Sequence, residues 1–157
     1  MNRMIESGKR TVGIALGLLA MATGCARIDA PTGYVEVKNV YGYDYKAVSA
    51  QGNVFALTSR DNPAGAGDLT FWSQAVEHQK VAIDGYRLER REEIKAASGL
   101  AGTLFDLRVG SGSAEYTYLL ALYVSPRTIY TVEAGGPSKR IETDRAAITR
   151  AMATLRP

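Results

Sequence analysis

The chain has 157 residues, 46% hydrophobic and 22% charged, with a formal charge of +3, one cysteine and one histidine. One domain is expected at this length, with enough interior to fold without disulfides, and a lone cysteine excludes an intramolecular one. Arg3, Lys9 and Arg10 against Glu6 account for most of the positive surplus, so the rest of the chain is nearly neutral and lacks the basic stripe that nucleic-acid binding requires.

The first element in chain order is an export signal: a charged start, an uncharged stretch from Thr11 to Thr23, and small residues before a cleavage point. The uncharged stretch is too short to span a bilayer, which takes about 20 apolar residues. Leu18-Leu19-Ala20-Met21-Ala22-Thr23-Gly24-Cys25 resembles the lipobox of bacterial lipoproteins. The resemblance implies that the Cys25 thiol carries a lipid, that the chain is cut just before it, and that the new amino terminus is acylated. Residues 1–24 are then a signal peptide, 25–33 a lipidated tether and 34–157 a single domain. Ala20-Met21-Ala22 also satisfies the small-x-small rule of an ordinary secretory signal, whose cleavage would release a protein with a free thiol. Each buried methylene of an acyl chain contributes about 0.8 kcal/mol, and two or more chains hold stably. At roughly 3.3 Å per residue the tether reaches at most about 26 Å, which keeps the domain near the membrane. In Gram-negative lipoproteins an Asp after the cysteine marks retention at the inner membrane. Ala26 stands there instead, and the resemblance implies an outer-membrane anchor facing the periplasm.

Tyr34 to Val40 alternates with period 2, Val35 and Val37 against Tyr34, Glu36 and Lys38, and predicts a half-buried strand. Tyr43–Ser49 and Val54–Ser59 flank Ala50-Gln51-Gly52-Asn53 and predict a hairpin. A loop at 61–67 leads to Asp68, placed to cap a helix over 69–82 whose apolar face carries Leu69, Trp72, Val76 and Gln79 beside Ala75. Trp72 reads as a core anchor.

Four strands follow, over 86–97, 103–109, 116–124 and 128–134, with connections short enough for a meander. Gly135-Gly136-Pro137 predicts a break before a helix over 143–155, in which Ile148, Met152 and Leu155, with Ile141 a heptad earlier, form the packing stripe. The order predicts an α+β fold in which two helices cover an antiparallel sheet. From Tyr34 to Leu155 this order of elements resembles the PsbP-like fold found in many small exported and lipid-anchored proteins.

Chemistry-bearing motifs are sparse. His78 is the sole histidine, so neither a His-rich metal site nor a Ser-His-Asp triad has its parts, and it reads as a helix-flank residue. Gly110-Ser111-Gly112-Ser113 lacks the third glycine and following helix of a dinucleotide fingerprint and reads as a hairpin loop. No cofactor and no metal are expected. The charged run from Arg87 to Glu93 contains paired carboxylates that admit acid and base work, on cell-wall glycan through Glu92 or Glu93 with another acid, although mixed charges on a strand read first as a solvated face.

Tyrosine is the compositional excess. Tyr41, Tyr43 and Tyr45 recur at period 2, as do Tyr116 and Tyr118, and the ring combines apolar area with a polar tip suited to interfaces. Tyr41 and Tyr43, flanking Gly42 at a strand boundary, are the expected exposed pair and the candidate binding surface. These observations lead to the expectation of a non-enzymatic envelope protein, held to the membrane through the lipid on Cys25, that binds an envelope protein partner. A glycan hydrolase or glycan-binding protein is the alternative.

Overall fold

The computed structural model describes residues 26–63 and 66–157. Cys25 and the segment before it lie outside the described residues. Seven strands form one antiparallel sheet: β1 (Tyr34–Glu36), β2 (Tyr45–Ser49), β3 (Val54–Asp61), β4 (Arg87–Lys95), β5 (Ala101–Val109), β6 (Tyr116–Val124) and β7 (Thr128–Pro137). Their order across the sheet is β1-β2-β3-β7-β6-β5-β4, so the expected meander from β4 to β7 is present and β3 joins it through β7. Helix α1 (Leu69–His78) continues into a π-helical turn at Gln79–Ile83, and α2 (Ser138–Met152) follows β7 directly.

The two helices lie on opposite faces because the strands alternate. On β6, Leu119, Ala121 and Tyr123 join the larger core with Leu57, Val132, Ile141, Ile148 and Met152 under α2. Leu120 and Leu122 point the other way and form a second core with Phe105 and Leu107 under Leu69, Trp72 and Val76 of α1. The predicted stripe of α2 is therefore the buried one, with Leu155 buried just past its end, whereas on α1 Leu69, Trp72 and Val76 face the core half-buried and Ala75 and Gln79 are exposed. Asp68 caps α1 by accepting from Phe71 N at 2.9 Å. Trp72 packs into the core of this face and donates from Nε1 to Asn62 Oδ1 at 3.1 Å, which holds the loop before the helix.

Three expectations are corrected. The first strand is only Tyr34–Glu36 and its polarity is the reverse of the valine reading: Tyr34 is 8% exposed and Val35 70% exposed. Tyr34 lies on the α2 side, where its hydroxyl donates to Asp144 Oδ2 at 3.0 Å, whereas Val35 lies on the side that α1 leaves open. Gly135-Gly136-Pro137 is not a break but the end of β7, and the helix starts at Ser138. A Cβ on Gly136 would sit 2.2 Å from the Asn53 side-chain oxygen, and one on Gly135 would sit 3.2 Å from the Tyr116 ring, so both glycines admit a close neighbour. Gly42 adopts φ +85° and turns the chain between Tyr41 and Tyr43, and a bend at Asp44 follows before Tyr45, so the three do not share a face. Tyr45 packs edge-on against Phe55 in the α2-side core.

Residues 26–29, expected as tether, are docked. Arg27 exchanges two backbone hydrogen bonds with Arg156, at 2.8 and 2.9 Å, and Asp29 N donates to Thr154 Oγ1 at 2.9 Å. Ile28 is buried and Ala26 packs against the same core.

The sheet has two dissimilar edges. β1 is three residues long, whereas β4 is nine residues, RLERREEIK, with a bulge between Leu88 and Arg90.

Candidate binding face

The α1 side of the sheet is covered over only part of its width. Register places Val35, Val48, Val54, Gly135, Tyr118, Leu107 and Leu88 in one row across all seven strands. Alternate strand residues point to one face, so this row is a continuous apolar line on the α1 side. Leu107 and Leu88 lie in the core under α1. Beyond Tyr118 the line emerges from the helix: Val48 and Val54 are half-buried, and Val35 is open to solvent.

The next row toward the β6–β7 hairpin runs Lys46, Ala56, Glu133, Leu120, Phe105 and Arg91. It sets two charges, Lys46 and Glu133, into the open half. Neither has an ion-pair partner among the described residues.

The boundary of the open half is aromatic. Tyr86 and Tyr118 approach with ring centroids 5.6 Å apart, and Lys80 Nζ lies 5.1 Å from the Tyr118 centroid and 5.6 Å from that of Tyr86. A cation over ring faces at this range is attracted by their quadrupoles, and Lys80 is further held by Asp84 at 3.0 Å. Burial, with the Glu133 carboxylate and the Tyr86 and Tyr43 hydroxyls nearby, pushes the Tyr118 phenol far above its usual range. It is therefore a neutral donor at any physiological pH. A cavity of about 310 Å³ opens between the helix and the sheet, lined in part by Thr58, Arg60, Trp72, Gln79, Lys80 and Glu133.

The candidate residues from the sequence are distributed as follows. Tyr43 is exposed and Lys46 Nζ sits 5.2 Å from its ring centroid, which places it beside the open half of the sheet. Tyr41 is fully exposed on the turn before it. Tyr116 and Tyr118 share a face, as period 2 requires, and both rings approach Gly135. His78 is exposed in the last turn of α1. Glu92 and Glu93 are not brought together: Glu92 pairs in register with Leu104 on the α2 side, Glu93 with Thr103 on the α1 side. Successive strand residues face opposite ways, so a glycosidase site here would pair one of the two glutamates with another acid.

Both glutamates are among the residues lining a separate groove of about 700 Å³ between β4 and α1, with Leu69, Arg91 and Lys95. The Ser73 and Thr103 hydroxyls, which also line it, are buried and bonded to each other at 2.9 Å. Both are thus occupied with one another. Val35, Val48 and Val54 were not singled out from the sequence, since only the register that links seven strands aligns them.

On the opposite face a charge cluster pins α2 to the sheet. Arg145 reaches buried Asp106 at 2.9 Å and Glu142 at 2.6 Å, and Arg108 reaches Glu142 at 2.8 Å and Glu115 at 3.0 Å. The Arg145 guanidinium holds the Glu142 carboxyl below its ordinary range, and Arg108 does the same for Glu115. Paired across the sheet and the helix, these groups read as structural, although Asp106 Oδ1 and Arg108 Nε are buried without a hydrogen-bond partner.

The chain matches no protein-family model and no curated protein sequence. It does match solved structures. The crystal structure of LpqN, involved in cell envelope biogenesis of Mycobacterium tuberculosis, superposes with TM-score 0.69 at 11% identity, over 84% of this chain and 83% of that one. The solution structure of cyanobacterial PsbP (CyanoP) from Synechocystis sp. PCC 6803 matches with TM-score 0.59 at 14% identity, over 84% and 86%. The fold is PsbP-like. A protein of unknown function from Pseudomonas aeruginosa, PA94, matches with TM-score 0.55 at 14% identity over 87% of each chain. At these identities the likeness is one of fold.

Among the described residues no helix is long and apolar enough to cross a membrane.

Proposed function

We propose that this chain is a lipid-anchored protein of the bacterial envelope whose open half-sheet captures a protein partner. The observation that carries the reading is the apolar row that leaves the cover of α1 at Tyr118 and continues through Val54 and Val48 to Val35. A sheet face normally buries its apolar side, and a run left bare with an aromatic rim is the composition of an interface. Lys46 and Glu133 supply charges of both signs in that surface, and such charges set register in a complex. The anchor follows from the lipobox-like run ending at Cys25, and an outer-membrane location facing the periplasm from Ala26. LpqN, which shares the fold, is described as involved in cell envelope biogenesis, and this is consistent with an accessory role in the envelope.

The test is crosslinking of the anchored protein in intact cells, with joined proteins identified by mass spectrometry. Val35→Lys alone, and Tyr41→Ala with Tyr43→Ala, are expected to reduce recovery of the partner by tenfold or more while leaving the unfolding midpoint in place. These side chains are exposed, so their loss removes little buried area. Undiminished recovery with both variants would remove this face as the binding surface. Recovery of the protein joined only to wall fragments would favour glycan binding instead.

A further inference from the structure

The docking of residues 26–29 fixes more than a terminus. Cys25 is joined to Ala26, one Cα–Cα step of about 3.8 Å away, and Ala26 packs against the core. Ala26 lies at one end of the sheet, the end where Tyr123 Oη donates to Met152 O at 2.9 Å and where the β4–β5 hairpin packs Ala96 and Leu100 against the same core as Ile28 and Leu155. The β6–β7 hairpin turns at this end too, since Tyr123 and Tyr130 pair just inside it.

Unpaired cations gather at this end. Arg27, Lys95, Arg127 and Arg150 are exposed and none has a carboxylate partner among the described residues. Of the nearby acids Asp29 is paired with Arg156 and Asp68 caps the N-terminus of α1, which leaves Glu36, Asp44 and Asp61.

We infer that this end is the membrane-facing surface of the domain, seated on anionic phospholipid headgroups with the strands running away from the bilayer. The inference rests on the lipid-anchored reading above and adds an orientation and a ligand chemistry to it. Each Lys or Arg close to an anionic lipid surface is worth about fivefold in association. Four unpaired cations around the attachment point are complementary to that surface.

The lipidated full chain, reconstituted in vesicles of phosphatidylethanolamine and phosphatidylglycerol, tests this. With the Cys25 thiol occupied by lipid, an introduced cysteine is the one free thiol for an environment-sensitive fluorophore. A label at Ala97→Cys, on the β4–β5 hairpin, is expected to be quenched by headgroup-level lipid quenchers at least fivefold more than one at Ser113→Cys, in the β5–β6 connection at the opposite end. Adding Lys95→Glu, Arg127→Glu and Arg150→Glu should lower the Ala97 quenching severalfold, and replacing phosphatidylglycerol with phosphatidylcholine should do the same.

Equal quenching at both labels, or stronger quenching at Ser113, overturns the orientation. Strong quenching that survives both charge reversal and lipid replacement overturns the headgroup contact. An Ala97 label shielded from water yet insensitive to lipid quenchers would mean that a protein covers this end, and the inference fails. Loss of the anchored reading is seen separately and earlier: a chain without the acyl mass that does not float with vesicles refutes that reading and this inference together.

Discussion

Gly136→Ala tests the close packing between β7 and the β2–β3 turn. The added Cβ would meet Asn53 Oδ1 at 2.2 Å, its amide carbon at 3.0 Å and Ile141 Cδ1 at 3.4 Å. Asn53 has nowhere to retreat: it is fully buried, its Nδ2 donates to Asp144 Oδ2 at 3.0 Å and its backbone N donates to Ser49 Oγ at 3.1 Å. Relief requires the carboxamide to give up the Asp144 bond or the strand to shift. Overpacking together with one strained buried hydrogen bond predicts a loss of about 2–4 kcal/mol. Asn53→Ala alone forfeits the bond and is expected to cost about 1–2 kcal/mol. In the Asn53→Ala background the obstacle is gone, so Gly136→Ala should then cost less than about 1 kcal/mol, a strong non-additivity. Denaturant unfolding of all four proteins at constant slope measures the cycle. Additivity within about 0.5 kcal/mol, or a mild Gly136→Ala on its own, would refute the steric argument.

Two further predictions concern pH. Glu142 and Glu115, held low by Arg145 and Arg108, bind fewer protons folded than unfolded. Their stabilisation is present above the ordinary carboxylate range and is lost as pH falls through their depressed values. Arg108→Gln with Arg145→Gln should flatten the acid limb of a stability-against-pH curve, and an unchanged limb would contradict the pairing. At alkaline pH, burial pushes Tyr34 up to about 12 and holds Tyr118 and Tyr123 higher still. A spectroscopic titration should therefore show a late-ionising class that coincides with unfolding, from which Tyr34→Phe removes one member. Ionisation of all tyrosines in a single early step would refute the burial of these phenols.

The elements whose local signals agree were legible from sequence. Asp68 with the spacing of Leu69, Trp72 and Val76 marked α1 and its buried face, and Tyr116–Val124 was bounded as the structure has it. The departures share a cause: a pattern shows that a strand has two faces but not which face another element will cover. Tyr34 was exchanged with Val35 for that reason, since α2 and Asp144 lie on the tyrosine side. Gly135 and Gly136 carried the composition of a turn, and only Asn53, Tyr116 and Tyr118, distant in sequence, show that they serve close approach. The candidate face was legible in part. Tyr116 and Tyr118 align within one strand, but the valine row exists only across register, and the turn at Gly42 and the bend at Asp44 separate Tyr41, Tyr43 and Tyr45 in a way that period 2 ignores.

The two sheet edges bear on crowding in two dimensions. Proteins confined to a membrane meet at high effective concentration and in fixed orientation, conditions that favour strand addition between neighbours. In this molecule one border offers only the three residues of β1, and the other presents the charged, bulged β4. Neither supports lateral polymerisation of the sheet, so the domain, if anchored as proposed, is suited to remain a solitary unit at densities where an unprotected edge would recruit its neighbours.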